Sequence, residues 1–166
     1  MAETCAKLGE GALSANALQR ANVHPESGMA TDYLNHFNEV VMLLEMLGDM
    51  PEMADEVLAW SPCAYAEHFE RTHYAEAETV IAAYAAAPRA LKAHFETIIA
   101  ALDERLAEAQ ARVRAGDVAA AAAMAMAGGD IEALLAAARA AVNGRIEGDE
   151  IDDRAAAQAG VDALFS

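Results

Sequence analysis

The stretch TDYLNHFNEVVMLLEML, residues 31–47, is the densest apolar segment of the chain and decides its fold class. Large apolar side chains recur along it at spacings of three and four residues, which is the period of a helix with a wide buried face. They are Tyr33, Leu34, Phe37, Val40, Val41, Leu43, Leu44 and Leu47. Thr31 suits an N-cap and Gly48 suits a helix end. The stretch therefore predicts the central helix of an all-α domain.

The composition also favours helices on both sides of this stretch. Roughly a quarter of the residues are alanine, the strongest helix former, and the β-branched residues typical of strands are sparse. A chain of 166 residues is long enough for one domain with its own core. Most large apolar residues lie between positions 33 and 102, so we expect the core there.

The net charge of −16 argues against one class of function, the binding of nucleic acid through phosphate contacts. Binding to DNA or RNA depends on clustered Lys and Arg, which this chain lacks.

Cys5 and Cys63 form no CxxC unit or zinc pattern, and the first residues do not resemble a secretory signal. No apolar run has the length and character of a membrane span. We expect a reduced cytoplasmic protein that contacts neither nucleic acid nor membrane.

Outside residues 31–47, the first 87 residues are predicted to contain a loose arm and then short helices. The leucines in residues 1–29 are spaced by five, which is not the period of a helix. We therefore predict that residues 1–29 form a loose N-terminal arm. Pro51 starts a short helix that ends near Trp60. Ser61 and Pro62 are a suitable N-cap and first helical residue for the next one. A further helix is predicted over about 75–87.

The longest predicted helix covers about 89–115. Its apolar residues step by three and four over this whole length: Leu91, Phe95, Ile98, Leu102, Leu106, Ala109 and Val113. Two shorter helices follow, about 117–127 and 131–143, separated by Gly128 and Gly129. Together these elements predict a helical bundle over 30–143, in which the last two helices fold back on the long one.

Histidines and carboxylates at helical spacing suggest a possible metal site. Asp32, His36 and Glu39 share one face of the central helix, and Glu70 and His73 are three residues apart on a later helix. Such pairs build metal sites inside helical bundles. The first three lie opposite the apolar stripe, on what should be the solvated face. We therefore expect no metal or other cofactor, and keep a metal-binding bundle, perhaps an oxidoreductase, as the alternative.

Nucleophilic catalysis has little support in the sequence. Cys63 lies near His68, but a cysteine in an alanine-rich setting is more commonly a small buried hydrophobe. The chain has no GxSxG elbow, phosphate-binding glycine loop or dinucleotide fingerprint. No catalytic residue is assigned, and an enzyme is the less favoured interpretation.

The C-terminus changes character twice. Residues 144–157 are acidic and poor in apolar side chains, which is typical of a flexible linker. Residues 158–166 then regain an apolar patch. The string Gln158, Val161, Asp162, Ala163, Leu164 and Phe165 resembles the docking peptide of the bacterial flagellar motor switch protein. It is also similar to the tail of the chemotaxis phosphatase family.

The resemblance covers eight residues and implies docking to a receiver-domain response regulator through Gln158, Val161, Asp162, Leu164 and Phe165. It does not imply phosphatase activity, because no Gln or Asn has an acidic residue four positions earlier, as that family's catalytic pair requires. The favoured interpretation is a non-enzymatic interaction protein. The alternatives are the metal-binding bundle and a structural homo-oligomer built on the long helix.

Overall fold

A computed structural model describes residues 7–145 of the chain. The α-helices of this range are α1 Ala15–Arg20, α2 Asn35–Met46, α3 Ala54–Ala59, α4 Tyr65–Arg71, α5 Ala77–Ala85, α6 Arg89–Arg114, α7 Val118–Ala125 and α8 Asp130–Val142. Short 3-10 helices occupy Gly11–Leu13, Thr31–Leu34 and Pro51–Met53. No strand occurs between residues 7 and 145, and the all-α prediction is confirmed. The predicted docking segment 158–166 and residues 146–157 of the acidic linker lie outside the described residues.

The segment 31–47 is the centre of the core, as its apolar pattern predicts. It starts as the 3-10 turn Thr31–Leu34 and continues as α2. Every large apolar side chain of the predicted stripe is buried except Leu43, which is half-buried. The predicted N-cap at Thr31 was wrong, because the turn is preceded by Ala30 and has no side-chain cap. This end of the helix has no side-chain capping hydrogen bond, and the burial of its apolar side chains stabilises it instead.

The long helix was predicted over 89–115, and α6 covers Arg89–Arg114. All seven residues of its predicted stripe are buried. The stripe packs against α7 and α8 along most of the helix and against α3. The last two helices therefore fold back on α6, and a single core runs through the bundle.

A tight turn between α7 and α8 makes this arrangement possible. A Cβ atom at Gly129 would lie 2.5 Å from the carbonyl oxygens of Ala123 and Met124, so the close approach requires glycine. The whole segment Val118–Val142 is apolar and long enough to cross a membrane. In the structure it is divided at this turn, and its residues Ala121 and Ile131 are buried in the core. About 28% of the most apolar 18 residues of this segment is buried inside the bundle.

The prediction of a loose arm over residues 1–29 was wrong for residues 7–29. Leu13, Leu18 and Met29 are almost completely buried in the common core. The buried Ser27 hydroxyl donates a hydrogen bond to the carbonyl oxygen of Val142 (2.5 Å) and joins this region to α8. The sequence shows no helical period here because Leu13 belongs to a 3-10 turn and Leu18 belongs to the short helix α1.

The start of α4 also differs from the prediction. Ser61 and Pro62 do not begin a helix; α4 starts at Tyr65, and the backbone of Ala64 is extended. The Ala64 N–H donates to the Glu67 carboxylate at 3.4 Å. The segment 61–64 consequently runs as a short connection between α3 and α4.

Candidate functional site

Two neighbouring cavities lie on the two sides of the segment 61–64, and Cys63 lines both. We call the first the polar cavity. It has a volume of about 290 Å³ and is lined by Asn35, His36, Glu39, Cys63, His68, Arg71 and Thr72. We call the second the aromatic cavity. It has a volume of about 490 Å³ and is lined by Tyr33, Pro62, Cys63, Ala64, Tyr65, Ala66, Tyr84, Phe95, Glu96, Ile99 and Asp103.

A pair of histidines forms the centre of the polar cavity. The rings of His36 and His68 are 6.1 Å apart between centroids. His36 stacks on Trp60 at 4.7 Å, and the Trp60 indole N–H donates to the His36 carbonyl oxygen at 2.9 Å. Trp60 therefore covers the side of α2 that the sequence predicted to be solvated. That prediction was wrong for His36, whose side chain is half-buried.

Burial favours the neutral forms of three ionisable groups in the polar cavity, His36, His68 and Cys63. It lowers the pKa of His36 to about 4, and the positive charges of His68 and Arg71 act in the same direction. Burial also lowers the pKa of His68, although the nearby Asp32 opposes this effect. Burial raises the pKa of the Cys63 thiol. A neutral thiol is a weak nucleophile, so the arrangement does not resemble an activated cysteine.

The predicted metal ligands are dispersed in the structure. His36 and Glu39 line the polar cavity, Asp32 is half-buried near His68, and Glu70 and His73 are exposed at the end of α4. Between residues 7 and 145, no three His, Cys, Asp or Glu side chains are placed to hold a metal ion. The structure thus brings His36 towards His68, a neighbour that the carboxylate–histidine spacing did not indicate.

Aromatic rings from four parts of the chain form the walls of the aromatic cavity. Tyr65 of α4 stacks on Tyr84 of α5 with ring centroids 4.1 Å apart. Tyr33 lies 5.0 Å from Tyr65, and Phe95 of α6 lies 6.3 Å from both Tyr33 and Tyr65. The sequence indicated these residues only as core positions, because nothing in their spacing shows that they surround a space.

Hydrogen bonds fix the three tyrosines of this wall. The Tyr33 hydroxyl donates to the Cys63 carbonyl oxygen at 2.6 Å, and the Tyr84 hydroxyl donates to the Glu96 carboxylate at 2.7 Å. The Tyr65 hydroxyl accepts the Ala30 N–H at 2.8 Å. Burial raises the pKa of each tyrosine, so all three are neutral. Hydrogen bonds and ring stacking therefore hold the three tyrosines around the cavity.

Asp103 is the unusual residue of the aromatic cavity. Its carboxylate oxygen Oδ1 is buried and accepts no hydrogen bond from any of the residues 7–145. Burial raises the Asp103 pKa to about 6. The sequence analysis did not select Asp103. The available signal was its position beside Leu102, at the edge of an otherwise apolar stripe.

Comparisons with protein-family models, with curated proteins and with solved structures found no match to this chain.

Proposed function

We propose that the protein is a non-enzymatic interaction protein that docks through its C-terminal segment on a receiver-domain response regulator. The observation that carries this proposal is the string Gln158, Val161, Asp162, Ala163 and Leu164, with its resemblance to the docking peptide of the flagellar motor switch protein. The pathway that this implies is chemotaxis or flagellar signalling in a bacterial cytoplasm.

The packing of the bundle supports a docking element outside it. The apolar stripe of α6 is used entirely within the chain's own core, which leaves no apolar seam on that helix for an oligomer. Among residues 7–145, the large hydrophobic side chains that are well exposed are Met42 and Met126. Two methionines make a small apolar surface for stable association. The described bundle thus offers less to a partner than the apolar residues at the C-terminus.

The geometry gives less support to the metal-binding alternative and to nucleophilic catalysis. The predicted metal ligands do not gather among the described residues, and the Cys63 thiol is held in its neutral form. A binding role requires neither a metal nor a nucleophile.

The C-terminal string has the pattern of a helix that binds in a groove. In a helix, Val161, Leu164 and Phe165 share one side, because residues three and four apart are neighbours. Asp162 lies off this side, where it can pair with a Lys or Arg of the partner. Folding on binding costs several kcal/mol, so we expect a dissociation constant on the order of micromolar.

The test is calorimetric titration of the full chain with a single-domain chemotaxis response regulator, with and without beryllofluoride to mimic the phosphoryl group. We expect micromolar binding that is tighter with beryllofluoride. The double variant Leu164→Ala/Phe165→Ala should abolish binding and leave the urea midpoint of the bundle unchanged. A matched control, Asp152→Asn/Asp153→Asn, changes the preceding acidic residues and should retain binding.

Two results would refute the proposal. The first is binding that survives the double variant, which would place the docking surface elsewhere. The second is slow amide exchange at Val161–Phe165 in the free protein. This would mean that the segment packs on its own bundle.

A further inference from the structure

We propose that the aromatic cavity is a binding site for a small organic amine, whose ammonium group binds Asp103 while its apolar body packs on the aromatic walls. This site is independent of the C-terminal docking proposed above. It lies between α4, α5 and α6, and all the residues that line it belong to the described bundle.

The size and lining of the cavity fit a small ligand. Its volume of about 490 Å³ is within the range of small-molecule sites, which are mostly apolar with a few well-placed polar groups. Tyr33, Tyr65, Tyr84 and Phe95 supply aromatic surface, and Ile99 supplies aliphatic surface. Because hydrogen bonds already hold the tyrosines, a ligand does not have to order these walls when it binds.

The charge of the lining selects a cation. Glu96 and Asp103 are the two charged residues that line the cavity, and both are acidic. Glu96 already accepts the Tyr84 hydroxyl. The buried Oδ1 of Asp103 has no donor among residues 7–145, and a buried acceptor without a donor is unfavourable. The Asp103 carboxylate lines the cavity, and an ammonium group bound there supplies the opposite charge.

A cation–π contact lies next to the aromatic cavity, outside its lining. The Lys92 ammonium lies 4.8 Å from the centroid of the Tyr84 ring, which is a cation–π contact. Lys92 does not line the cavity, so this charge does not occupy the space beside Asp103. Anionic ligands such as phosphates or carboxylates would instead meet two carboxylates and neutral tyrosines.

The full chain should be titrated at pH 7.5 with three amines of different shape: 2-phenylethylamine, cyclohexylamine and tryptamine. We expect saturable binding of at least one of them with a stoichiometry of one. For that amine, the neutral alcohol of the same skeleton should bind at least tenfold more weakly. The carboxylate 3-phenylpropanoate should not bind.

Two variants separate the charge of Asp103 from its shape. Asp103→Asn keeps the size of the side chain and removes the charge, and it should weaken amine binding at least tenfold. The matched control Glu104→Gln removes an exposed charge next to it on the same helix, outside the cavity lining, and should bind as the wild type does. Circular dichroism of both variants verifies that the bundle is intact.

The pH dependence gives a second readout of the same contact. The titratable groups around the cavity are Asp103, Glu96, Cys63 and the three tyrosines, with Glu67 near Tyr33 and Cys63. Because burial raises the Asp103 pKa to about 6, amine binding should weaken as the pH falls below that value. The proposal is refuted if none of the three amines binds saturably, if amine and alcohol bind equally, or if Asp103→Asn binds as the wild type does.

Discussion

At the scale of single residues, Phe37 is the side chain on which the core depends most directly. It is completely buried, and the rings of Tyr33, His36 and Trp60 surround it at centroid distances of 5.4, 5.1 and 5.9 Å. Phe37→Ala should lower the free energy of unfolding by about 3–5 kcal/mol in urea denaturation, because the cavity left behind cannot close. Met42→Ala, at an exposed position of the same helix, should change it by less than about 0.5 kcal/mol. A loss below about 1 kcal/mol for Phe37→Ala would contradict this packing.

His36 should make the stability of the protein depend on pH. Its pKa is about 4 in the folded protein and higher when unfolded, so the unfolded chain binds more protons between pH 4 and pH 6.5. Stability contributed by His36 is therefore complete above pH 6.5 and is lost as the pH falls towards 4. The slope cannot exceed about 1.4 kcal/mol per pH unit for one group.

The variant His36→Gln isolates this effect. Urea denaturation at pH 4.5 and pH 7 should show a smaller gain in stability with rising pH than in the wild type. Asp103 acts in the opposite direction, because its raised pKa means that stability is lost as the pH rises through about 6. Asp103 is present in both proteins, so its contribution cancels when the free energies of unfolding of the wild type and His36→Gln are subtracted at each pH. Asn35→Ser, a neutral change in the same cavity, should keep the pH profile of the wild type, and a parallel profile for His36→Gln would contradict the burial of His36.

At the scale of elements, Gln110 connects α6 to the end of α3. Its buried side-chain amide donates hydrogen bonds to the carbonyl oxygens of Val57 at 2.9 Å and Trp60 at 2.7 Å. These carbonyls lie at the C-terminal end of α3, where few backbone donors remain, although the Val57 carbonyl also accepts the Trp60 N–H at 3.2 Å. Gln110→Leu should lower the free energy of unfolding by about 1–3 kcal/mol and speed amide exchange in α3. Glu104→Gln on the exposed side of α6 is the control. Unchanged exchange in α3 would show that the amide has no capping role.

The elements that sequence reasoning placed well are those with a long repeating stripe. The boundaries of α6 agree with its pattern because seven apolar residues and the breakers Pro88 and Gly116 all indicate the same helix. The start of α4 was misplaced because Ser61 and Pro62 carry a valid local signal that tertiary contacts override. The Tyr33 hydroxyl binds the Cys63 carbonyl and holds that segment in place outside the helix. The region 7–29 was misread because its elements are too short to show a period.

At the scale of the whole molecule, the cavities could not have been read from local spacing. The aromatic cavity combines Tyr33, Tyr65, Tyr84, Phe95 and Asp103, which are separated by up to seventy positions in the sequence. A stripe pattern shows only that such residues are buried, since the pattern does not distinguish a filled core from a lined space.

The pairing of His36 with His68 could not be read from local spacing either. His36 and His68 come together because α2 and α4 flank the same cavity, whereas the i,i+3 spacing pointed to Glu70 and His73. His73 adopts a positive φ of 54° just after α4 and is exposed there. A spacing rule holds within one helix, and it fails where the helix ends before the second residue.

The charge of the whole chain should make its stability depend on salt. The net charge of the chain is −16, and folding brings the acidic residues of the described range 7–145 closer together than they are in the unfolded chain. Within the described bundle, ion pairs join Arg105 and Arg112 to Glu108, and Arg112 to Asp117, all near the C-terminal end of α6. Exposed pairs of this kind contribute little, so repulsion should dominate.

Raising the NaCl concentration from about 20 mM to 500 mM shortens the screening length from roughly 20 Å to roughly 4 Å. We expect the urea midpoint to rise and the melting temperature to increase by about 2–4 °C, which corresponds to a gain of the order of 1 kcal/mol. Potassium chloride at the same ionic strength should have the same effect, because screening does not depend on the identity of the cation. A difference between the two salts would indicate specific binding of one ion. A melting temperature that falls with salt would mean that attractive ion pairs outweigh the repulsion.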